Sequence, residues 1–264
     1  MLIENTLFGT VDKVQEAIEL LKEHEPPEGY YVSFSGGKDS CVIYDLVKKA
    51  GVKYDVHYAL TTIDPPELVY FIRNEYPEVW ENRNIPKLSM WQIIEKKGFL
   101  PNRQIRYCCD VLKEGYSKGR VVVTGIRASE SSRRAKRQQV EKAKTSKAKM
   151  FVHPIFDWQD DDIWEYIHTH NVPYCKLYDE GFDRIGCIMC PLQSWRKFER
   201  DMQKFPRYVN LYKLAAGRAV ASHERREKSG EELFESWVDK IKGLRIADSC
   251  DSIPLFSDDD GSVL

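Results

Sequence analysis

The sequence predicts an α/β fold built on an open parallel sheet, because apolar, β-branched runs alternate with helical stretches across glycine turns. The clearest such unit is residues 30–51, YYVSFSGGKDSCVIYDLVKKAG. Tyr30-Tyr31-Val32-Ser33-Phe34 reads as a buried strand. Val42, Ile43, Leu46 and Val47 then recur at helical spacing, and Gly51 is a helix stop. Ser35-Gly36-Gly37-Lys38-Asp39-Ser40 therefore lies in a strand-to-helix turn. Three more runs read as strands: Val52 to Leu60, Arg120 to Arg127 running into a second glycine turn, and Phe151 to Ile155.

Between these runs the chain punctuates itself. Residues 10–24 read as an amphipathic packing helix capped by Thr10 and ended by Pro26, Pro27 and Gly29. Leu68 to Glu75 forms the next helix, terminated at Tyr76-Pro77, and 86–100 holds a short one with Ser89 as cap and Gly98 as stop. A helix begins in Asp157 to Ile167, where Asp160, Asp161 and Asp162 suit the positive end of the helix dipole. Residues 195–221 and 231–244 read as one or two charged helices, and the acidic tail 248–260 is expected to be poorly ordered. The expected division is an α/β domain over 1–195 and a C-terminal helical extension over 196–264.

The 264 residues, 42% hydrophobic and 31% charged, suit one large soluble α/β domain with a helical appendage. No apolar run approaches the ~20 residues that span a bilayer. MLIENTLFGT lacks the basic and apolar regions of a signal peptide, so a cytoplasmic protein without a membrane partner is expected. Seven cysteines, an odd number, argue for metal or redox chemistry rather than a disulfide framework.

The 35–40 turn is an anion site by construction. Its glycines admit a ligand to the backbone, and the N–H groups of the next helical turn point at it. Lys38, Ser35 and Ser40 add donors. Asp39 repels bare phosphate and makes sense with Mg²⁺ between them. The adjacent glycines exclude the G-x-x-x-x-G-K-[ST] loop. Instead the string resembles the pyrophosphatase loop of enzymes acting at the α-phosphate of ATP. Ligands bind beyond the carboxyl ends of parallel strands, so Thr62, Asp64, Glu67 and Arg127 are expected at the same crevice. Arg127 can grip phosphate or sulfate bidentately. His57 reads as a packed histidine.

Residues 133–149 carry eight Lys or Arg against one acid, Glu141. The bland reading is a solvated, mobile surface segment; the sharper one is an arm facing a polyanion such as nucleic acid. Cys108-Cys109 and Cys187-x-x-Cys190 form two pairs far apart in sequence, each in a loop after a core element. Four thiolates suit zinc or an iron–sulfur cluster, and chemistry alone does not choose between them.

Taken together, SGGKDS, Arg106-Tyr107-Cys108-Cys109, Gly125-Ile126-Arg127 with Glu130-Ser131, His153-Pro154-Ile155 before Trp158, and Gly181-Phe182-Asp183-Arg184-Ile185-Gly186-Cys187 with Cys190-Pro191 resemble the phosphoadenosine phosphosulfate (PAPS) reductase family over about residues 30–195. The resemblance implies an adenine nucleotide α-hydrolase-like sheet of about five strands with helices on both faces. It also implies a nucleotide substrate, ATP or a sulfonucleotide (APS or PAPS). Nucleotide contacts then fall to Ser33, Ser35, Gly36, Gly37, Lys38, Asp39, Ser40, Thr62, Asp64, Gly125, Arg127 and Glu130, with Lys38, Asp39 and Arg127 catalytic. In the family's iron–sulfur branches, a Cys-Cys pair and a C-x-x-C pair hold a 4Fe-4S cluster, here Cys108, Cys109, Cys187 and Cys190.

One departure bears on function. The reductases attack with the thiolate of a C-terminal Glu-Cys-Gly, whereas the late cysteine here, Cys250, sits in Asp248-Ser249-Cys250-Asp251. Flanking acids raise a thiol's pKa. The expectation is therefore an ATP pyrophosphatase or adenylyltransferase that activates an acceptor, nucleic acid among the candidates, for sulfur from a donor protein. The alternatives are an APS/PAPS reductase using Cys250 or a partner's thiol, and a non-catalytic module sensing adenylates or redox state.

Overall fold

A computed structural model describes residues 1–6, 9–113, 115–143, 148–223 and 229–248. Lys144, Lys147, Cys250 and the acidic tail beyond Asp248 lie outside the described residues.

The chain opens with a hairpin, β1 (Ile3–Thr6) antiparallel to β2 (Gly9–Asp12). Helix α1 (Lys13–Glu23) follows, with Asp12 accepting the N–H groups of Val14 and Gln15. This corrects the expected cap at Thr10: strand pairing takes Gly9–Asp12, so the helix starts at residue 13. Then come β3 (Tyr30–Phe34), α2 (Lys38–Ala50), β4 (Tyr54–Tyr58), α3 (Pro66–Glu75) and α4 (Pro77–Glu81). Pro77 starts a second helix as well as ending the first, because proline suits a first helical position. The capping box of Ser89 with Gln92 opens α5 (Met90–Lys97), and Gly98 closes it at φ 74°, as its sequence requires. The remaining elements are α6 (Tyr107–Leu112), β5 (Val121–Val123), α7 (Ser132–Ala135), β6 (Val140–Lys142), β7 (Met150–Val152), α8 (Asp160–Thr169), α9 (Trp195–Lys204), α10 (Pro206–Ser222) and α11 (Gly230–Asp248).

The chain divides into two compact units. The first takes Met1–Leu60, Pro65–Ile85 and Glu114–Gly186. It holds a five-stranded sheet in the order β4-β3-β5-β7-β6, with helices on both sides. β4, β3, β5 and β7 run parallel and β6 runs antiparallel to β7. The central strands are sealed: Val32 and Val123 are fully buried, and so are Val42, Ile43, Leu46 and Val47 of α2. Each such side chain contributes roughly 1.5–3 kcal/mol of hydrophobic stabilisation. From β3 the chain goes to β4 on one side and later returns to β5 on the other. The β3/β5 junction is thus a topological switch point, where open parallel sheets bind ligands.

β6 was not expected as a strand. Its basic surroundings hide it, but Val140, Glu141 and Lys142 pair with Val152, Phe151 and Met150, so the 133–149 segment is not loose throughout.

The second unit takes Thr61–Asp64, Pro86–Lys113 and the chain from Cys187 on. Its core is helical: α10 packs on α5 and α11. Tyr212 stacks on Trp237 at 5.3 Å, and Phe198 meets Trp237 edge-on at 5.3 Å. The Trp237 indole N–H donates to the Pro101 carbonyl at 2.6 Å.

Candidate functional site

In the first unit the 35–40 turn joins β3 to α2 beside the switch point. Gly36 adopts φ 73°, which favours glycine, and a Cβ there would sit 2.6 Å from a Leu68 methyl, which would have to shift. The Ser40 hydroxyl accepts from the Ser35 N–H at 3.2 Å and donates to the Gly37 carbonyl at 2.8 Å, fixing the curve of the turn. The Lys38 N–H donates to the Tyr178 hydroxyl at 2.8 Å.

Two buried cations flank this turn, each 4% exposed: Lys38 and Arg127. Arg127 donates from Nε to Asp39 Oδ1 at 2.7 Å and from Nη2 to Asp160 Oδ1 at 2.8 Å. Its other nitrogen reaches Ser129 Oγ at 3.1 Å. Lys38 Nζ lies 3.0 Å from Asp160 and 3.7 Å from Asp39. Burial works to raise the Asp160 carboxyl, but the hydrogen bonds and charges of Lys38 and Arg127 outweigh it and hold the group below the usual carboxylate range. Two cations and two carboxylates thus fix one another in place. Gly125 lets this happen, since a Cβ there would lie 3.0 Å from Asp39 Cβ.

Further cations gather around Glu130. Its carboxylate accepts the Arg127 N–H at 3.2 Å, pairs with Arg134, and lies 3.9 Å from Arg184. Burial, together with the charges of Arg184, Arg137 and Arg127, lowers the Arg134 guanidinium to about 10. A guanidinium whose proton is made easier to lose by its cationic neighbours stands where an anion is favoured.

The structure brings Ser35 to Ser40, Gly125, Arg127 and Glu130 together, with Ser33 an exposed position of β3. Thr62 and Asp64 belong to the second unit. There the Thr61 N–H donates to Asp64 Oδ2 at 2.9 Å, and Thr62 Oγ1 accepts the N–H of Met90 at 2.9 Å. Asp160 and Tyr178 were missed as site residues. Asp160 reads as helix-start charge, and Tyr178 gives no local signal, since its partner Lys38 is 140 positions away.

All four paired cysteines, Cys108, Cys109, Cys187 and Cys190, lie half-buried in the second unit. The C-x-x-C turn is pinned from several sides. The Ile188 N–H donates to the Ile63 carbonyl at 2.9 Å, the Met189 N–H to Asp201 Oδ2 at 3.0 Å, and Gln193 Nε2 to the Cys187 carbonyl at 3.0 Å. Met189 takes φ 55° to make the turn. The thiols feel one another: the hydrogen bond that Cys108 donates to Cys109, then burial, then the charges of Cys109, Cys187 and Cys190 push Cys108 up. Burial, then Cys187, pushes Cys190 up to about 11. The Cys187 charge, with those of Asp64 and Cys109, raises the Lys113 ammonium. Among the described residues no three His, Cys, Asp or Glu side chains are placed to hold a metal ion. By residue type alone, four thiols are the donor set that zinc or an iron–sulfur cluster takes.

The sequence profile of the phosphoadenosine phosphosulfate reductase domain matches residues 29–193. The chain belongs to the PAPS reductase family. Within it, an adenosine 5'-phosphosulfate reductase of Oceanobacillus iheyensis is 31% identical over 173 residues, 62% of this chain and 71% of that one. An uncharacterised protein of Methanocaldococcus jannaschii is 31% identical over 218 residues, 80% of this chain and 47% of that protein. A second from the same organism is 30% identical over 79% of this chain and 44% of its own length, so the chain spans about half of these relatives. The crystal structure of phosphoadenylyl-sulfate reductase from Candida auris, a phosphate complex, shares the fold with TM-score 0.51 and 21% identity, over 65% of this chain and 88% of that one. The family's α/β fold is thereby shown. Among the described residues no helix is long and apolar enough to cross a membrane.

Proposed function

We propose that this PAPS reductase family member cleaves ATP between its α- and β-phosphates, adenylylating an acceptor oxygen; sulfide-level sulfur from a donor then attacks the acceptor, and the oxygen leaves on AMP. The observation that carries the reading is the pair of buried cations at the glycine turn, Lys38 and Arg127, held by Asp39 and Asp160. Such a pair suits an in-line displacement, in which charge spreads over the transferring phosphoryl group and the protein supplies position and compensation. The acceptor oxygen attacks the α-phosphorus, the bond to the bridging oxygen breaks, and pyrophosphate leaves with the electron pair. Lys38 and the turn's N–H groups neutralise the leaving oxygens, and Arg127 the α-phosphoryl oxygens. Ser33, Gly125 and Glu130 frame the nucleotide, with Thr62 and Asp64 assigned to its nucleoside. Mg²⁺ would arrive with the phosphates, and Asp39 is the carboxylate assigned to it.

No thiol nucleophile of the first unit competes with this route. Its cysteines, Cys41 and Cys175, are fully buried, and burial pushes Cys41 up to about 12. Cys108, Cys109, Cys187 and Cys190 would hold a 4Fe-4S cluster, or zinc in its place. A bound cluster supplies fixed charge and one-electron chemistry; the chain's part is to hold the two cysteine loops. Exposed Arg133 and Lys136 support a polyanionic acceptor, with nucleic acid the first to try.

A second reading, sulfonucleotide reduction, is the activity after which two of the relatives, adenosine 5'-phosphosulfate reductases, are named. It needs Cys250 or a partner's thiol. Anaerobic incubation with ATP, APS and PAPS separately, each with a thiol reductant, decides between them. Pyrophosphate with AMP or an adenylyl adduct from ATP supports the first reading. Sulfite from APS or PAPS that disappears in Cys250→Ser supports the second.

A further inference from the structure

Lys38 Nζ and Arg127 Nη2 converge on one atom. Asp160 Oδ1 lies 3.0 Å from the first and 2.8 Å from the second. Both cations are nearly sealed from solvent, whereas the Asp160 side chain is 57% exposed. Asp39 is the better anchored of the two carboxylates. Its side chain is 22% exposed, its Oδ1 takes Arg127 Nε at 2.7 Å, and Gly125 backs it closely. Asp160 opens α8, but the first turn of that helix is capped without it, by the reciprocal bonds of Gln159 and Asp162. Its ion pairs to Lys38 and Arg127 are thus contacts that the helix does not need.

The point where two buried donors converge is the point a phosphoryl oxygen must take to meet both. A carboxylate oxygen resembles a phosphoryl oxygen in charge and lone pairs, and it accepts from ammonium and guanidinium donors in the same way. Two anionic oxygens do not share one position. The four side chains also sum to no net charge, so a bare phosphate meets little attraction while Asp160 stays.

We propose, on the reading of the glycine turn as the nucleotide's phosphate site, that Asp160 stands in for a phosphoryl oxygen: it keeps Lys38 and Arg127 in position until a nucleotide arrives, then turns into solvent and yields them to the phosphate. Asp160 is a positioning residue with a selective effect. Every anion must break its two ion pairs to enter, so an anion with few contacts is turned away. A polyphosphate, with further oxygens for the N–H groups of the turn, is admitted.

Inorganic pyrophosphate, titrated calorimetrically into the whole chain with a chelator to keep metal away, tests this. Asp160→Asn should bind it about tenfold more tightly than the wild type, the scale of one carboxylate's charge removed at a half-exposed position. Asp161→Asn is the control. It removes the same charge one residue on, from an exposed side chain that pairs with neither cation among the described residues, and affinity should stay within about twofold. A damaged fold loses affinity, so a gain is not a structural effect, and a thermal melt of each variant verifies the fold. Lys38→Ala separates failure of the proposal from failure of the phosphate-site reading. If it abolishes binding while Asp160→Asn binds no tighter than the wild type, the turn holds phosphate and the role given to Asp160 is overturned. An equal gain in Asp161→Asn overturns that role too, as an effect of charge at long range. If neither the wild type nor Asp160→Asn saturates at millimolar pyrophosphate, or Lys38→Ala binds as the wild type does, the phosphate-site reading falls and the proposal falls with it.

Discussion

In the first unit, charged side chains of one site hold one another: Lys38 and Arg127 are tied to Asp39 and Asp160. In the second, the cysteines are held by groups outside their own set, among them Ile63, Asp201 and Gln193. The first site is balanced in charge as it stands. The second is a set of neutral thiols, since each thiolate would raise its neighbours' hold on their protons. The lesson is that a preorganised ion-pair site keeps its geometry without a ligand, whereas a thiol set has its loops fixed but must give up protons before it can ligate anything. Oxidation and chelation should therefore touch one site and spare the other.

The largest expected effects fall where each site is most itself. Cys190→Ser should lower metal affinity by more than about 10–100-fold, the scale seen for lesser changes around metal ligands, while leaving ATP binding unchanged. Elemental analysis and nucleotide titration check it, and equal metal content would remove the cysteine assignment. Lys38→Ala should cost about 10²–10³ in kcat for pyrophosphate release with the melt preserved; an unchanged kcat removes the role given to that cation.

Next comes pH. His153 is fully buried, bonded through Nδ1 to the Thr124 hydroxyl at 2.7 Å, with Nε2 3.5 Å from Glu141. Burial, reinforced by Arg137, lowers it from 6.5 to about 4. Its folded value lies below its unfolded one, so its stabilisation is complete above about 6.5 and is lost as pH falls toward 4. The loss is on the order of 3 kcal/mol, read from urea midpoints across that window. A flat profile, or one that His153→Asn leaves unaltered, removes histidine as the cause. The smallest expected effect is Tyr178→Phe. It leaves the Lys38 N–H without its 2.8 Å partner and should cost about 1 kcal/mol of stability. A larger loss would mean that the ring, not the hydroxyl, supports the turn.

The same contrast explains what was legible in the sequence. SGGKDS is contiguous, so strand, turn and helix announce one another, and the structure has β3 and α2 on either side of it. The Ser89 cap is equally local and is legible in the sequence, though its reciprocal partner Gln92 was not singled out. Asp160 was read for its own helix, because nothing nearby reveals that it faces Lys38 and Arg127. Gly9–Asp12 and Val140–Lys142 were misread for a related reason. Their short runs have no strand period of their own, and pairing with β1 and β7 decides them. The cysteine pairs were visible as pairs, but the residues that pin their turn, Ile63 and Asp201, belong to segments read only as a strand end and a charged helix.

The two units are interleaved along the chain, and this imposes an order in time. The sheet of the first unit is fully translated once Val152 has been made. The second unit has only residues 61–64 and 86–113 by then, and its other helices begin at Trp195. At ~5–20 residues per second, Cys108 and Cys109 wait on the order of seconds for Cys187 and Cys190 to be made. During that interval they are an unaccompanied vicinal dithiol on a growing chain. A reducing environment at the ribosome is the condition under which such a pair stays unoxidised through that wait.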